Sequence, residues 1–142
     1  MDSIEVVAGA NAQASEYNNL RKDLVLGKYG QGAETIPSGA PFNVTIDWTD
    51  KTKGKVRNIN FGANNLTAIF SGAVKDQVLT FIITQDATGG RTLAWPANIK
   101  WPGGQAPVLS TAANRVDIVQ VMCVQDTPSA AYIGLYSSFG NY

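Results

Sequence analysis

Residues 78–84 read VLTFIIT, and residues 116–124 read VDIVQVMCV. Both segments are short, rich in β-branched side chains and almost free of charge, which is typical of strands covered on both faces. A small sheet with one solvated face needs fewer apolar side chains than these two strands contain. The two segments therefore predict a β-fold in which central strands are deeply buried or are covered further by self-association.

Segments of alternating or apolar character flank these two strands on both sides. They predict further strands at residues 44–48, 56–61, 66–70, 91–95 and 131–136. Between them lie clusters of glycine and asparagine, which tolerate the positive φ of tight turns. Seven or more short strands in about 100 residues predict an all-β domain over residues 44–142, either an antiparallel β-sandwich or a small barrel.

The first 43 residues have a different character and are predicted to form an N-terminal anchor. Ser15 can cap a short helix over about residues 16–26, whose apolar stripe consists of Tyr17, Leu20 and Leu24. A helix of three turns is marginal in water, so this stripe is a candidate contact for a partner in the same chain or in a neighbouring one. Residues 28–43 hold three glycines and two prolines and read as an extended arm, which either reaches toward a partner or folds back across the same domain.

Composition excludes several classes of function. The chain has 142 residues, no His, one Cys, and 11 Lys and Arg against 11 Asp and Glu. Metal sites built on imidazole or paired thiolates and Ser-His-Asp catalysis are excluded, and no cofactor or metal ligand set is predicted. Zero net charge argues against nucleic-acid binding. No apolar run approaches the roughly 18 residues of a membrane span, and the acidic N-terminus does not read as a signal peptide.

The charged residues give no catalytic set. The carboxylates of Asp76, Asp86, Asp117 and Asp126 lie at or near predicted strand ends or turns, where Asp commonly binds backbone N–H groups. A glycosidase-like hydrolase would need two of them across a cleft, and nothing in their spacing selects a pair. Four alternating cations at positions 51, 53, 55 and 57 could form an anion-binding strip, but lysines that protect an edge strand are the favoured interpretation.

The aromatic residues are the remaining candidates for binding. Trp95 and Trp101 each precede a proline, and Tyr132 and Tyr136 lie in the aromatic C-terminal segment. Indole rings beside turns can stack on sugar rings, and they can equally pack into a core or a subunit contact. The four residues are therefore predicted to contact either a glycan or another subunit.

Residues 85–117, QDATGGRTLAWPANIKWPGGQAPVLSTAANRVD, resemble a module found near the C-termini of bacteriophage tail-fibre and related virion proteins. Residues 12–20, AQASEYNNL, also resemble a short helical segment near the starts of such proteins. The resemblance implies an all-β, non-enzymatic particle component that is commonly a homotrimer and is exposed at the virion surface. The long repetitive shaft of a typical tail fibre is not present in this sequence, so tail and capsid locations stay open.

These observations lead to one main hypothesis and three alternatives. The main hypothesis is a structural or attachment protein of the virion, assembled in the host cytoplasm, which forms a homotrimer, contacts other virion proteins through residues 1–43 and binds a receptor such as a host-surface glycan. The alternatives are a capsid decoration protein that clamps capsid subunits, a carbohydrate-binding module, and a hydrolase that uses two Asp.

Overall fold

The structure, a computed structural model, describes residues 31–139 and the side chains of residues 31–136. The described chain forms nine strands and one short 3₁₀ turn at Pro102–Gly104. The strands are β1 Gln31–Ala33, β2 Asn43–Asp47, β3 Val56–Asn60, β4 Leu66–Ser71, β5 Val78–Thr84, β6 Leu93–Ala94, β7 Ile99–Lys100, β8 Val116–Gln125 and β9 Ala131–Phe139. The prediction of an all-β fold is confirmed.

The strands form two sheets, between which the chain alternates. The larger sheet has six strands in the order β1-β3-β5-β8-β9-β7, and the smaller has three in the order β2-β4-β6. From β1 to β6 each odd strand joins the larger sheet and each even strand joins the smaller one. Successive strands of one sheet therefore run in the same direction and stack in parallel.

The expectation of an antiparallel fold is wrong, because both sheets are built largely from parallel pairs. Only β5 with β8 and β8 with β9 pair in antiparallel fashion among the described strands, whereas five other pairs are parallel. Alternating side chains reveal which face of a strand is buried, but they do not reveal the direction of its neighbour. The two long apolar segments of the sequence are β5 and β8, which lie next to one another at the centre of the larger sheet.

The inward faces of the two sheets share one hydrophobic core. Val44 and Ile46 of β2 contribute from the smaller sheet, and Phe81 of β5 and Val119 of β8 contribute from the larger one; all four are fully buried. Along β5 and β8 every second side chain is buried, as the alternating pattern requires. The core therefore lies between the sheets, and the loops that connect them cross its two ends.

The described part of the N-terminal region packs against this core. Residues 31–33 form β1, which pairs in parallel with β3 at one edge of the larger sheet. The predicted helix over residues 16–26, with Tyr17, Leu20 and Leu24, lies outside the described residues. The arm therefore folds back onto the β-domain from Gln31 onward, and the role of the preceding residues stays a prediction.

A buried ion pair joins the loop after β2 to the edge of the larger sheet. Arg57 is 1% exposed, and its Nη1 donates a hydrogen bond of 2.8 Å to the carboxylate of Glu34, which is 5% exposed. The other guanidinium nitrogens donate to the carbonyl oxygens of Gly54, Asp47 and Asp50. All of the guanidinium's nitrogens are therefore engaged, as a buried charge requires.

This arrangement corrects the interpretation of the four alternating cations. Residues 51–54 form a turn rather than a strand, so the four side chains do not line one side of an extended segment. Lys53 Nζ also binds Glu34, at 2.8 Å, and Arg57 is part of the core layer. The glutamate thus holds two of the four cations.

Replacement of the buried arginine should therefore be costly. We expect Arg57→Met to lower the free energy of unfolding by about 3–5 kcal/mol, because it leaves the Glu34 carboxylate and three loop carbonyls without their main donor. Urea unfolding followed by circular dichroism measures the loss. Arg91→Met is the matched control, because the Arg91 ion pair with Asp86 is partly exposed and its removal should cost much less. Equal losses in the two variants would show that the buried pair does not hold this loop.

Candidate functional site

The two Trp-Pro sites converge on one aromatic cluster. The ring centroids of Trp95 and Trp101 lie 5.4 Å apart in an edge-to-face arrangement. Trp95 also contacts the rings of Phe70 and Phe81, which stack on one another across the two sheets at 5.8 Å. The cluster lies at the interface of the sheets, and the loop over residues 96–104 passes beside it.

The Trp101 indole packs against Gly134, where a residue with a side chain would clash with it. A Cβ atom added to Gly134 of β9 would overlap the six-membered ring of the Trp101 indole. The indole thus lies directly on the backbone of β9, and its half-buried state follows from this contact. The position of the Trp101-Pro102 turn is set by the absence of a side chain at residue 134.

The other two predicted contact residues have different surroundings. Tyr132 is 2% exposed and packs against Trp48 and Phe70, with centroid distances of 5.4 and 5.2 Å. This burial raises the pKa of the Tyr132 phenol. Tyr136 is 37% exposed, and its hydroxyl oxygen lies 3.0 Å from Asp117 Oδ1. The structure therefore brings Trp95, Trp101 and Tyr132 into one cluster and places Tyr136 in a polar network.

Trp95 and Trp101 are the members of this set that a ligand could reach through the cluster, because both are half-buried whereas Tyr132 is enclosed. The indole Nε1 atoms of Trp95 and Trp48 are buried and have no hydrogen-bond partner in the described part of the chain. Contact of the four residues with a glycan or a subunit stays a prediction.

The carboxylates considered for catalysis serve local structure. Asp86 binds the backbone N–H groups of Thr88 and Gly89, and the side chain of Arg91 donates a further bond that holds the pKa of Asp86 below its usual value. Asp117 is 1% exposed and accepts hydrogen bonds from the backbone N–H and hydroxyl of Ser110. Each of these two carboxylates fixes the conformation of a turn or loop.

Metal ligands, the cysteine thiol and membrane-spanning helices are the remaining features of interest in the described residues. Within residues 31–136 no three side chains of His, Cys, Asp or Glu lie close enough to hold a metal ion. Cys123 is fully buried, and this burial raises the pKa of its thiol. No helix in the described part of the chain has the length and apolarity that crossing a bilayer requires.

The outer face of the larger sheet is a second candidate site. We use this name for the outward side chains of β3, β5, β8 and β9, eight of which are apolar and five polar. They are Val56, Asn58, Asn60, Val78, Thr80, Ile82, Thr84, Val116, Ile118, Gln120, Met122, Ile133 and Leu135. The sequence identifies β5 and β8 as unusually apolar. Ile133 and Leu135 were not among the predicted contact residues, although their alternation with Tyr132 and Gly134 indicates that they lie on the outward face of β9.

The comparison with family models identifies the domain. Residues 48–126, more than half of the chain, match the model of the family described as "Putative phage tail fibre C-terminal domain". The chain belongs to this tail fibre family. The match runs from Trp48 through the end of β8, so it includes Arg57 but not its partner Glu34, and it includes the Asp86 turn and both Trp-Pro sites.

Membership of the tail fibre family confirms the resemblance noted in the sequence and makes the chain a phage tail-fibre-type structural protein, a virion component. No curated protein and no solved structure matches the chain. The family match does not extend to β9, which carries Tyr132 and Tyr136.

The contact between Trp101 and Gly134 provides a test of the aromatic cluster. We expect Gly134→Ala to lower the free energy of unfolding by about 1–3 kcal/mol, because the new methyl group must displace the indole. The near-ultraviolet circular dichroism of the tryptophans should change with it. Gly62→Ala is the control, because a Cβ at Gly62 has no atom within 4 Å, and it should change stability by less than about 0.5 kcal/mol. If Gly134→Ala is as harmless as the control, Trp101 does not lie on β9.

Proposed function

We propose that this tail fibre domain is a non-catalytic, surface-exposed attachment component of the tail fibre or tail tip, and that it works as a homotrimer. The single observation that carries the proposal is the family match over residues 48–126. It supports a location on the tail over the alternative of capsid decoration. In this role the protein acts by shape and by contact with its neighbours.

The structure supports a role in assembly in two ways. The buried polar groups of Arg57, Glu34 and Asp117 are bound to loops, which makes the loops rigid surfaces rather than reaction centres. The outer face of the larger sheet leaves apolar side chains exposed in the single chain, and self-association would cover them. Both features suit a particle component that is built from several copies.

The proposed arrangement divides the chain into an anchor and a presented domain. Residues 1–43 include the anchor, which contacts other virion proteins, and residues 44–142 form a β-sandwich that presents its turns outward. Because β1 is paired with β3, we assign the contact with other virion proteins to the residues before Gln31. The candidate contact residues of the anchor are Tyr17, Leu20 and Leu24.

A second candidate function is carbohydrate binding. The observation that favours it is the edge-to-face pair of half-buried indoles at Trp95 and Trp101, beside a rigid loop. Apolar faces of sugar rings pack on such indoles, and a host-surface glycan would be the ligand. A glycan array on which the purified protein gives no signal would remove this candidate without affecting the structural role.

The proposed function is tested with two preparations of phage particles. One carries the full chain, and the other carries a variant that lacks residues 1–27. We expect the full chain to co-purify with separated tails and the deletion variant to be lost from them. By light scattering the full chain should give about 45 kDa, the mass of three copies of a 15.1 kDa chain, and the deletion variant, which keeps 115 of the 142 residues, should give about 37 kDa. Circular dichroism should show the same strand content in both, because β1 begins at Gln31.

Each part of the proposal has an outcome that contradicts it. Recovery of the full chain with capsids would support the decoration alternative and contradict a tail location. A deletion variant that remains on the tails would contradict the anchor. A species of 15 kDa at micromolar concentration would contradict the homotrimer.

A further inference from the structure

The outer face of the larger sheet is exposed where it is most apolar. Leu135 is 57% exposed, Ile133 47%, Val78 38% and Met122 37%. A cleft on the same side of the sheet is lined by Ile118, Gln120 and Leu135 together with Tyr136. These residues lie on strands whose other face is fully buried in the core, so their positions are fixed by the core.

Strand register makes the patch continuous. Val78 of β5 lies opposite Met122 of β8, which lies opposite Ile133 of β9. The next row on the same face holds Thr80, Gln120 and Leu135, and in the row after it Ile82 lies opposite Ile118. Side chains directly opposite one another on a sheet have Cβ atoms only about 4.5–5.5 Å apart, so these residues form one surface rather than isolated exposed side chains.

The smaller sheet provides an internal comparison. Its described outward side chains are Asn43, Thr45, Asp47, Thr67, Ile69, Ser71 and Ala94. Ile69 is the single large apolar residue among them, and it is 41% exposed. The two sheets thus differ sharply in their outward faces, although both supply inward side chains to the same core. The outward face of the smaller sheet is suited to contact with water, whereas the outward face of the larger sheet is suited to burial against another protein surface.

The absence of charge on the outer face of the larger sheet indicates which partner covers it. None of the thirteen described side chains of the outer face is charged, although the chain carries 22 charged residues, and the first charge in this register is Lys100 at the β7 edge, opposite Ile133. In a homotrimer whose copies turn this face toward the three-fold axis, the same side chains of three copies lie near one another, so a net charge on the face would be repelled by the charge of its copies. A partner with an acidic or basic surface would instead favour residues of the opposite charge on this face. An uncharged face therefore fits a second copy of this chain.

We propose that the outer face of β3, β5, β8 and β9 is the surface through which copies of this chain associate. This inference rests on the self-association in the proposed function and adds the location of the interface. Burial of Met122, Ile133 and Leu135 against a neighbouring copy supplies the apolar contact. The polar face of the smaller sheet then remains on the outside of the assembly.

The size of the face is consistent with this role. Four strands spaced about 4.8 Å apart and about 23 Å long cover roughly 450 Å², about half of the 800 Å² that each partner supplies in a standard interface. Contacts of the copies beyond these four strands would supply the remaining area.

The test places one charge on each sheet. Leu135→Lys introduces a lysine into the proposed interface, and Ile69→Lys introduces the same side chain at a similarly exposed position of the smaller sheet. Light scattering and sedimentation measure association of the full-length proteins, and circular dichroism confirms folding. We expect Leu135→Lys to weaken association at least a hundredfold, because it buries an unpaired charge, and Ile69→Lys to leave association unchanged.

The outcomes separate this inference from the proposed function. A wild-type chain that is monomeric contradicts the homotrimer and the interface together. A wild-type oligomer that Leu135→Lys leaves intact contradicts only the interface, as does an oligomer that Ile69→Lys disrupts instead. If Leu135→Lys does not fold, Leu135→Thr keeps strand propensity while removing apolar area, and it should still weaken association by about tenfold or more. Unchanged association in that folded variant overturns the inference.

Discussion

The alternation of side chains along β5 and β8 is the constraint on which the rest of the structure depends. These strands lie side by side at the centre of the larger sheet, and each places every second residue in the shared core. A slip of one residue would move the buried set to the opposite face, so the core fixes their register. The same register aligns the remaining side chains into the outer face. One pattern in the sequence therefore determines both the core and the surface that we assign to assembly.

Buried polar groups complement this apolar frame by holding the loops. The guanidinium of Arg57 joins Glu34 to three carbonyl oxygens of residues 47–54, and Asp117 holds Ser110. Because these loop groups satisfy the buried charges, the loops are tied to the core, and loss of one partner would leave the other charge buried without compensation. Membership of the tail fibre family fits the structural role that we propose for this domain.

Seven of the nine strands in residues 31–139 could be predicted from the sequence, because alternation and apolar runs depend only on local residues. The directions of the strands could not, since parallel pairing arises from the alternation of the chain between two sheets. The short strands β1 and β7 are fixed by neighbours distant in sequence and carry little pattern of their own. The Trp-Pro pairs were found as candidates, but their convergence on Gly134 and Phe70 depends on contacts that no local spacing records. The β9 residues of the outer face were available from alternation and were overlooked.

The most direct test of the account is the oxidation rate of Met122 in the native, full-length protein. Met122 is 37% exposed on the outer face between Val78 and Ile133, and hydroxyl-radical labelling with mass spectrometry reads its accessibility without any substitution. The rate is measured over a series of protein concentrations. If copies associate through the outer face, the rate should fall severalfold as the chains associate. An equal rate in isolated and associated chains would contradict the central claim that assembly covers this face.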